Sequence, residues 1–134
     1  MQLRRWVMCV LIAGLALSSG TTLCETPLPC KEEIVQPQPL PIGARFYIKS
    51  TARAGYQVYY SYMGFEQGFL KVKYELRYHL DELIESEYFL LPMNANRQAL
   101  LSTKPLYGET QANTTKLLIS VVDDFSAIAV QKAR

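Results

Sequence analysis

Polar and apolar side chains alternate most strictly between Lys71 and Asp81. Val72, Tyr74, Leu76, Tyr78 and Leu80 are interleaved there with Lys71, Lys73, Glu75, Arg77, His79 and Asp81. Successive side chains of a strand point to opposite faces. A period of two held this long therefore predicts a half-buried strand with the tyrosine-bearing set turned inward. Arg45 to Lys49 and Tyr56 to Tyr62 read as strands ahead of it, and Gly64 and Gly68 around Phe65-Glu66-Gln67 mark a turn or an irregular loop. Beyond Asp81 the signal is mixed. Leu80, Leu83, Ile84, Tyr88 and Leu91 have helical spacing, while Tyr88 to Leu91 also suits a strand. A strand from Glu87 to Leu91, ended by Pro92, is the reading adopted, followed by a turn over Met93-Asn94-Ala95-Asn96 and a strand from Ala99 to Thr103. Lys116 to Val122, a turn at Asp123-Asp124 and Phe125 to Val130 form a hairpin signature.

Short strands joined by tight turns predict an all-β, antiparallel meander. Such a meander closes into a small β-barrel or folds into a sandwich, because open edges leave backbone donors unpaired. The pattern differs ahead of it. Five of the seven prolines fall between Pro27 and Pro41. Proline lacks an amide hydrogen and fixes φ, so residues 21–41 read as a proline-rich extended arm and residues 42–134 as the β-barrel-like domain. Residues 1–20 have the form of a signal peptide: Arg4 and Arg5, an apolar run from Trp6 to Leu17, then the small residues Ser18 and Gly20 at the cleavage site. A permanent anchor is the alternative. The run is short for one, since its helix would span about 18 Å of a hydrocarbon core roughly 30 Å thick. The chain is expected to be secreted and extracellular, with no stable membrane insertion once the leader is removed.

Composition narrows the chemistry. Loss of Arg4 and Arg5 lowers Lys plus Arg from 14 to 12, equal to the 12 acidic residues, so the formal charge of +2 falls to zero. No polybasic stretch survives, and nucleic acid is not an expected partner. Cys9 leaves with the leader. Cys24 and Cys30 remain as an even pair in an oxidising compartment, which predicts a disulfide closing a short loop and contributing about 2–3 kcal/mol at best. Asn113-Thr114-Thr115 is an N-glycosylation sequon in polar surroundings. Two cysteines and the lone His79 are too few for a metal centre. There is no Gly-x-Ser-x-Gly elbow and no Cys–His partner set, so neither an enzyme nor a cofactor is expected.

Gly55-Tyr56-Gln57-Val58-Tyr59-Tyr60-Ser61-Tyr62, then Phe65-Glu66-Gln67-Gly68 and Val72-Lys73-Tyr74-Glu75-Leu76, resembles the opening strand, Phe-Glu-x-Gly loop and following strand of insect-type lipocalins. Leu118 to Val130 is similar to that family's late hairpin. The resemblance spans most of residues 45–130 and implies a secreted barrel holding a small hydrophobic ligand. Departures accompany it. The Gly-x-Trp hallmark is missing, with Tyr56 roughly in its place, and Lys71 stands where the family's strand cysteine would fall. No closing strand follows the late hairpin before Arg134, so the expected barrel is an incomplete one.

Tyrosine is the unusual excess, with nine in the chain and seven of them between Tyr47 and Tyr78. Tyr56, Val72, Tyr74, Leu76 and Tyr78 are the candidate ligand-binding residues, since apolar rings with a few hydroxyls line many small-ligand pockets. The same rings also suit a filled interior or cross-strand pairs. Two functions follow. One is a carrier that buries a small hydrophobic ligand inside the barrel. The other is a small interaction module with a filled core, which meets a protein partner at an exposed strand edge. The leader is directly testable: N-terminal sequencing of the secreted product should place the mature N-terminus between Ser19 and Glu25, and an intact Met1 on a membrane-bound product would exclude cleavage.

Overall fold

The computed structural model describes residues 31–105 and 114–133. Residues 1–30, which hold the expected leader, Cys24, Cys30 and the first ten residues of the arm, lie outside the described residues, as does Asn113. The strands are β1 (Glu32–Ile34), β2 (Leu40–Pro41), β3 (Arg45–Ser50), β4 (Tyr56–Glu66), β5 (Phe69–Tyr78), β6 (Glu82–Pro92), β7 (Gln98–Ser102), β8 (Lys116–Val122) and β9 (Ala127–Lys132). They form two antiparallel sheets, ordered β1-β3-β4-β5-β6 and β2-β9-β8-β7. The described residues are all-β, contain no helix, and do not form a closed barrel.

One core cluster joins the sheets. Tyr47, Val58, Tyr60, Tyr62, Leu70, Val72, Tyr74 and Leu76 come from the first, and Leu40, Ala99, Leu101, Leu117, Ile119, Ile128 and Val130 from the second. The register explains this set. Tyr60 pairs with Tyr74 and Tyr62 with Val72, while Ala99, Ile119 and Val130 lie side by side. The alternation that predicts β5 holds at Val72, Tyr74 and Leu76, each at most 1% exposed. It ends earlier than the sequence implies. His79 and Leu80 take positive φ (53° and 69°) in the turn to β6, so Leu80 points to solvent and Tyr78 is half-buried. The His79 amide donates to the Gly55 carbonyl at 2.9 Å, and an Arg77 Nη1 to the Leu80 carbonyl at 3.1 Å, which together hold that turn.

Three further segments differ from expectation. β6 runs from Glu82, because the hairpin with β5 continues past the register shift at Leu76/Arg77. That shift interrupts the period of two, which gives Leu83, Ile84 and Tyr88 their helical spacing. Phe125 belongs to the β8–β9 turn, where Asp123, Asp124 and Phe125 all have positive φ. Residues read as arm also enter both sheets, β1 beside β3 and β2 beside β9. The outer face of β5 is not simply solvated. Glu75 is 5% exposed and lies near Arg77 (2.8 Å), Lys73 (3.6 Å) and Arg45 (3.9 Å), with the Arg45 guanidinium 4.1 Å from the centre of the buried Tyr59 ring. Burial by itself would raise the Glu75 carboxyl. The Arg77 hydrogen bond and the cations around it outweigh that and hold it below its ordinary value.

The β4–β5 turn shows the local chemistry. Gln67 and Gly68 both have positive φ (52° and 86°), the handedness that matches strand twist in a two-residue hairpin and that glycine adopts without strain. Core packing should dominate stability. Tyr74→Ala or Leu76→Ala is expected to cost about 2–5 kcal/mol in urea unfolding. Leu100→Ala, at a side chain 53% exposed, should stay within about 0.5 kcal/mol. Equal losses would contradict the inward assignment.

Candidate functional site

The longest strand at a sheet edge among the described residues is β6. Among the described residues no strand pairs with its outer side, although it is 11 residues long. Its backbone polarity follows from hydrogen bonds deeper in the sheet. The Tyr62 amide donates to the Ala44 carbonyl (3.0 Å), and the Tyr62 carbonyl accepts from the Gly43 amide (2.6 Å), so Tyr62 turns away from β5. Alternation across antiparallel pairs then turns Val72 toward Phe89. Ser86, Tyr88 and Leu90 consequently aim their amides and carbonyls at the free edge. Pro92 shares their phase and has no amide to leave unpaired, the place where proline is tolerated in a sheet. The side chains add apolar surface: Leu83, Ile84, Tyr88 and Leu90 are 42–52% exposed. Lys71 and Lys73 stand 4.7 and 5.8 Å from the Tyr88 ring centre on the outer face.

The inner face of β6 is clasped at one point. Lys104, after β7, places its ammonium 3.0 Å from Glu85 and 3.1 Å from Glu87, and 5.0 Å from the Tyr74 ring centre. Its amide donates to the Tyr60 hydroxyl at 2.8 Å. The Glu85 hydrogen bond raises the Lys104 pKa, burial opposes it, and Glu87 adds to the rise. A second clasp lies at the opposite edge of the same sheet. Glu32 accepts from the Tyr47 hydroxyl, from Thr115 Oγ1 (2.7 Å) and from Lys132 Nζ (2.5 Å). Burial would raise the Glu32 carboxyl, but these donors together lower it. Tyr47, Tyr60 and Tyr74 form a row of tilted and edge-on rings between the clasps, with centres 5.8 and 5.4 Å apart. Burial is the main cause that raises all three hydroxyl pKa values, Tyr60 to about 12.

The predicted ligand-binding residues separate into two groups. Val72, Tyr74 and Leu76 pack in the core between the sheets. Tyr56 lines a cavity of about 600 Å³ at the strand ends, walled by the Ser50–Gln57 connection, His79, Leu80 and Lys31. Tyr78 is not on that wall but lies against Tyr56, ring centres 4.8 Å apart, with His79 edge-on to it at 4.1 Å. Gly55 makes this closeness possible. It has φ of +87°, and a Cβ there would lie 2.8 Å from the Tyr78 ring. The Arg53 guanidinium sits 4.9 Å from the centre of the Tyr56 ring. The Lys104 clasp has no signal in the sequence, since Lys104 lies 17 residues or more from its carboxylates. Among the described residues no cluster of His, Cys, Asp or Glu is placed to hold a metal ion, and no helix is long and apolar enough to cross a membrane.

No family model matches the sequence, and neither a curated protein nor a solved structure matches it.

The tyrosine row predicts an alkaline transition. An acid whose pKa is raised by folding contributes stability that is complete below its unfolded pKa, near 10.0, and lost as the pH rises through its folded value, about 12 for Tyr60. Unfolding free energy should therefore fall between those limits, and Tyr60→Phe should flatten the slope. An unchanged slope, followed by tyrosinate absorbance and urea midpoints, would mean that Tyr60 ionises as freely in the folded chain as in the unfolded one.

Proposed function

We propose that this chain is a secreted interaction module that accepts an extended partner strand along β6. The observation that carries this reading is the edge itself: outward-facing backbone groups at Ser86, Tyr88 and Leu90, bordered by exposed Leu83, Ile84 and Tyr88. An edge this long and apolar is a template for strand addition, in which main-chain hydrogen bonds give affinity and alternate side chains give selectivity. The core supports the same reading, because Val72, Tyr74 and Leu76 are occupied with packing. No catalytic step is assigned to the chain.

A lipocalin-like barrel is the finer architectural proposal. β3 to β6 and β7 to β9 succeed one another as a meander, and contacts of β2 and β1 with β9 and β3 connect its ends. In that view the barrel is flattened and stays open between β6 and β7, where Lys104 bridges the gap. The carrier reading keeps one specific support, the cavity on whose wall Tyr56 stands.

Fluorescence anisotropy with an extended peptide of alternating apolar and polar residues tests the edge. Saturable binding is expected, weakened about tenfold or more by the pair Ile84→Lys and Leu90→Lys, with an unchanged β-sheet circular dichroism spectrum. If the peptide does not bind, while a fatty acid, retinoid or steroid binds saturably and Tyr56→Ala abolishes it, the carrier reading replaces the edge reading.

A further inference from the structure

Resting on the edge reading above, we infer that the strand which pairs with β6 is the β6 strand of a second copy, arranged antiparallel about a two-fold axis at Tyr88. Such an axis, perpendicular to the sheet, brings each residue opposite one on the same face. Centred on Tyr88, it sets Tyr88 opposite Tyr88, Ser86 opposite Leu90, Glu87 opposite Phe89 and Glu85 opposite Leu91. The residues whose backbone groups point outward are then the ones that meet. Every outward amide of Ser86, Tyr88 and Leu90 finds an outward carbonyl on the copy, the hydrogen-bonded pairing of an antiparallel ladder.

Charge selects this register over its neighbours. An axis at Glu87 would set two carboxylates opposite each other at the closest pair spacing, and one at Ser86 would oppose Glu85 to Glu87 twice. Like charges directly opposite are destabilising. An axis at Phe89 also avoids like charges but sets Pro92, which has no amide to donate, opposite Ser86 and leaves the outward Ser86 carbonyl without a donor. The Tyr88-centred arrangement keeps Glu85 and Glu87 opposite apolar side chains, pairs both the outward amides and the outward carbonyls of Ser86, Tyr88 and Leu90, and moves Pro92 to the end of the ladder, opposite Ile84. The carboxylates it brings near Phe89 and Leu91 are already held by Lys104 within each copy, at 3.0 and 3.1 Å. Tyr88 and Leu90, 52% and 44% exposed in the single chain, become covered on the outer face. The edge is thus complementary to itself, and an isologous contact of this kind closes at two copies. One strand edge buries less than the roughly 1,200 Å² of a standard interface, so the pair is concentration-dependent.

Sedimentation equilibrium of the mature protein, from micromolar to millimolar, should show a monomer–dimer equilibrium. Tyr88→Pro removes the central outward amide of both copies but no bond to β5, so it should raise the dimer dissociation constant about tenfold or more while leaving the thermal midpoint nearly unchanged. Amide hydrogen exchange gives a second readout that needs no variant. Protection of Ser86, Tyr88 and Leu90 should increase with protein concentration, while that of Glu87 and Phe89, bonded within the chain, should not. A strict monomer with no concentration-dependent protection would overturn the self-pairing. If that monomer still bound the extended peptide through β6, the edge reading would survive and its partner would be a different chain. If neither occurred, both would fall.

Discussion

A tyrosine buried in a β core takes its hydroxyl with it, and that hydroxyl must be hydrogen-bonded or cost about 1–3 kcal/mol. The row Tyr47, Tyr60 and Tyr74 meets this requirement at one end of the sheets. Tyr47 reaches Glu32 and Thr115, Tyr60 accepts from the Lys104 backbone, and Tyr74 faces Glu85. Segments distant in sequence are drawn together by these partners. Glu32 belongs to β1, Thr115 precedes β8, Lys132 ends β9 and Lys104 follows β7. The rings supply apolar volume to the core, and the hydroxyls decide where the two sheets are fastened.

This division explains which parts of the fold were legible in the sequence. Alternation at Val72, Tyr74 and Leu76 was readable because one face of β5 meets an apolar core and the pairing is regular there. The late hairpin was readable for the same reason, with Ile119 buried opposite Val130. Leu80 was misplaced because an apolar residue in a turn continues the parity of the strand before it. β6 was read short because an edge strand need not bury a full face, so hydrophobic periodicity carries little information about it. Tyr56, which the resemblance sets roughly where the family's tryptophan would stand, lines a cavity, whereas Val72, Tyr74 and Leu76, taken from the strand alternation, pack in the core. Alternation reports a face and not what that face meets. The clasps at Glu32 and Lys104 leave no local signature at all, since each joins residues that only tertiary structure brings near.

The fastening also has a geometric consequence for the sheets. Lys104 ties Glu85 and Glu87 together at a partly exposed position on the inner side of β6, while no strand among the described residues pairs with its outward backbone groups. The inner face of β6 thus carries an ion-pair clasp, and its outer face carries the exposed Tyr88 and Leu90.

Gln38 acts at the other end of the fold as a substitute for a missing strand residue. Its side-chain amide donates to the Val130 carbonyl at 3.1 Å and its Oε1 accepts from the Val130 amide at 2.7 Å, so a single side chain imitates a backbone pair beside β9. β2 covers the neighbouring positions with Leu40 and Pro41, and the remaining margins, β1 and β7, are three and five residues long. Among the described residues there is one long margin and three short or covered ones. In the language of polymer chemistry such a unit is monofunctional: under the proposed edge pairing, joining through strands would terminate a chain and not propagate one into a fibre.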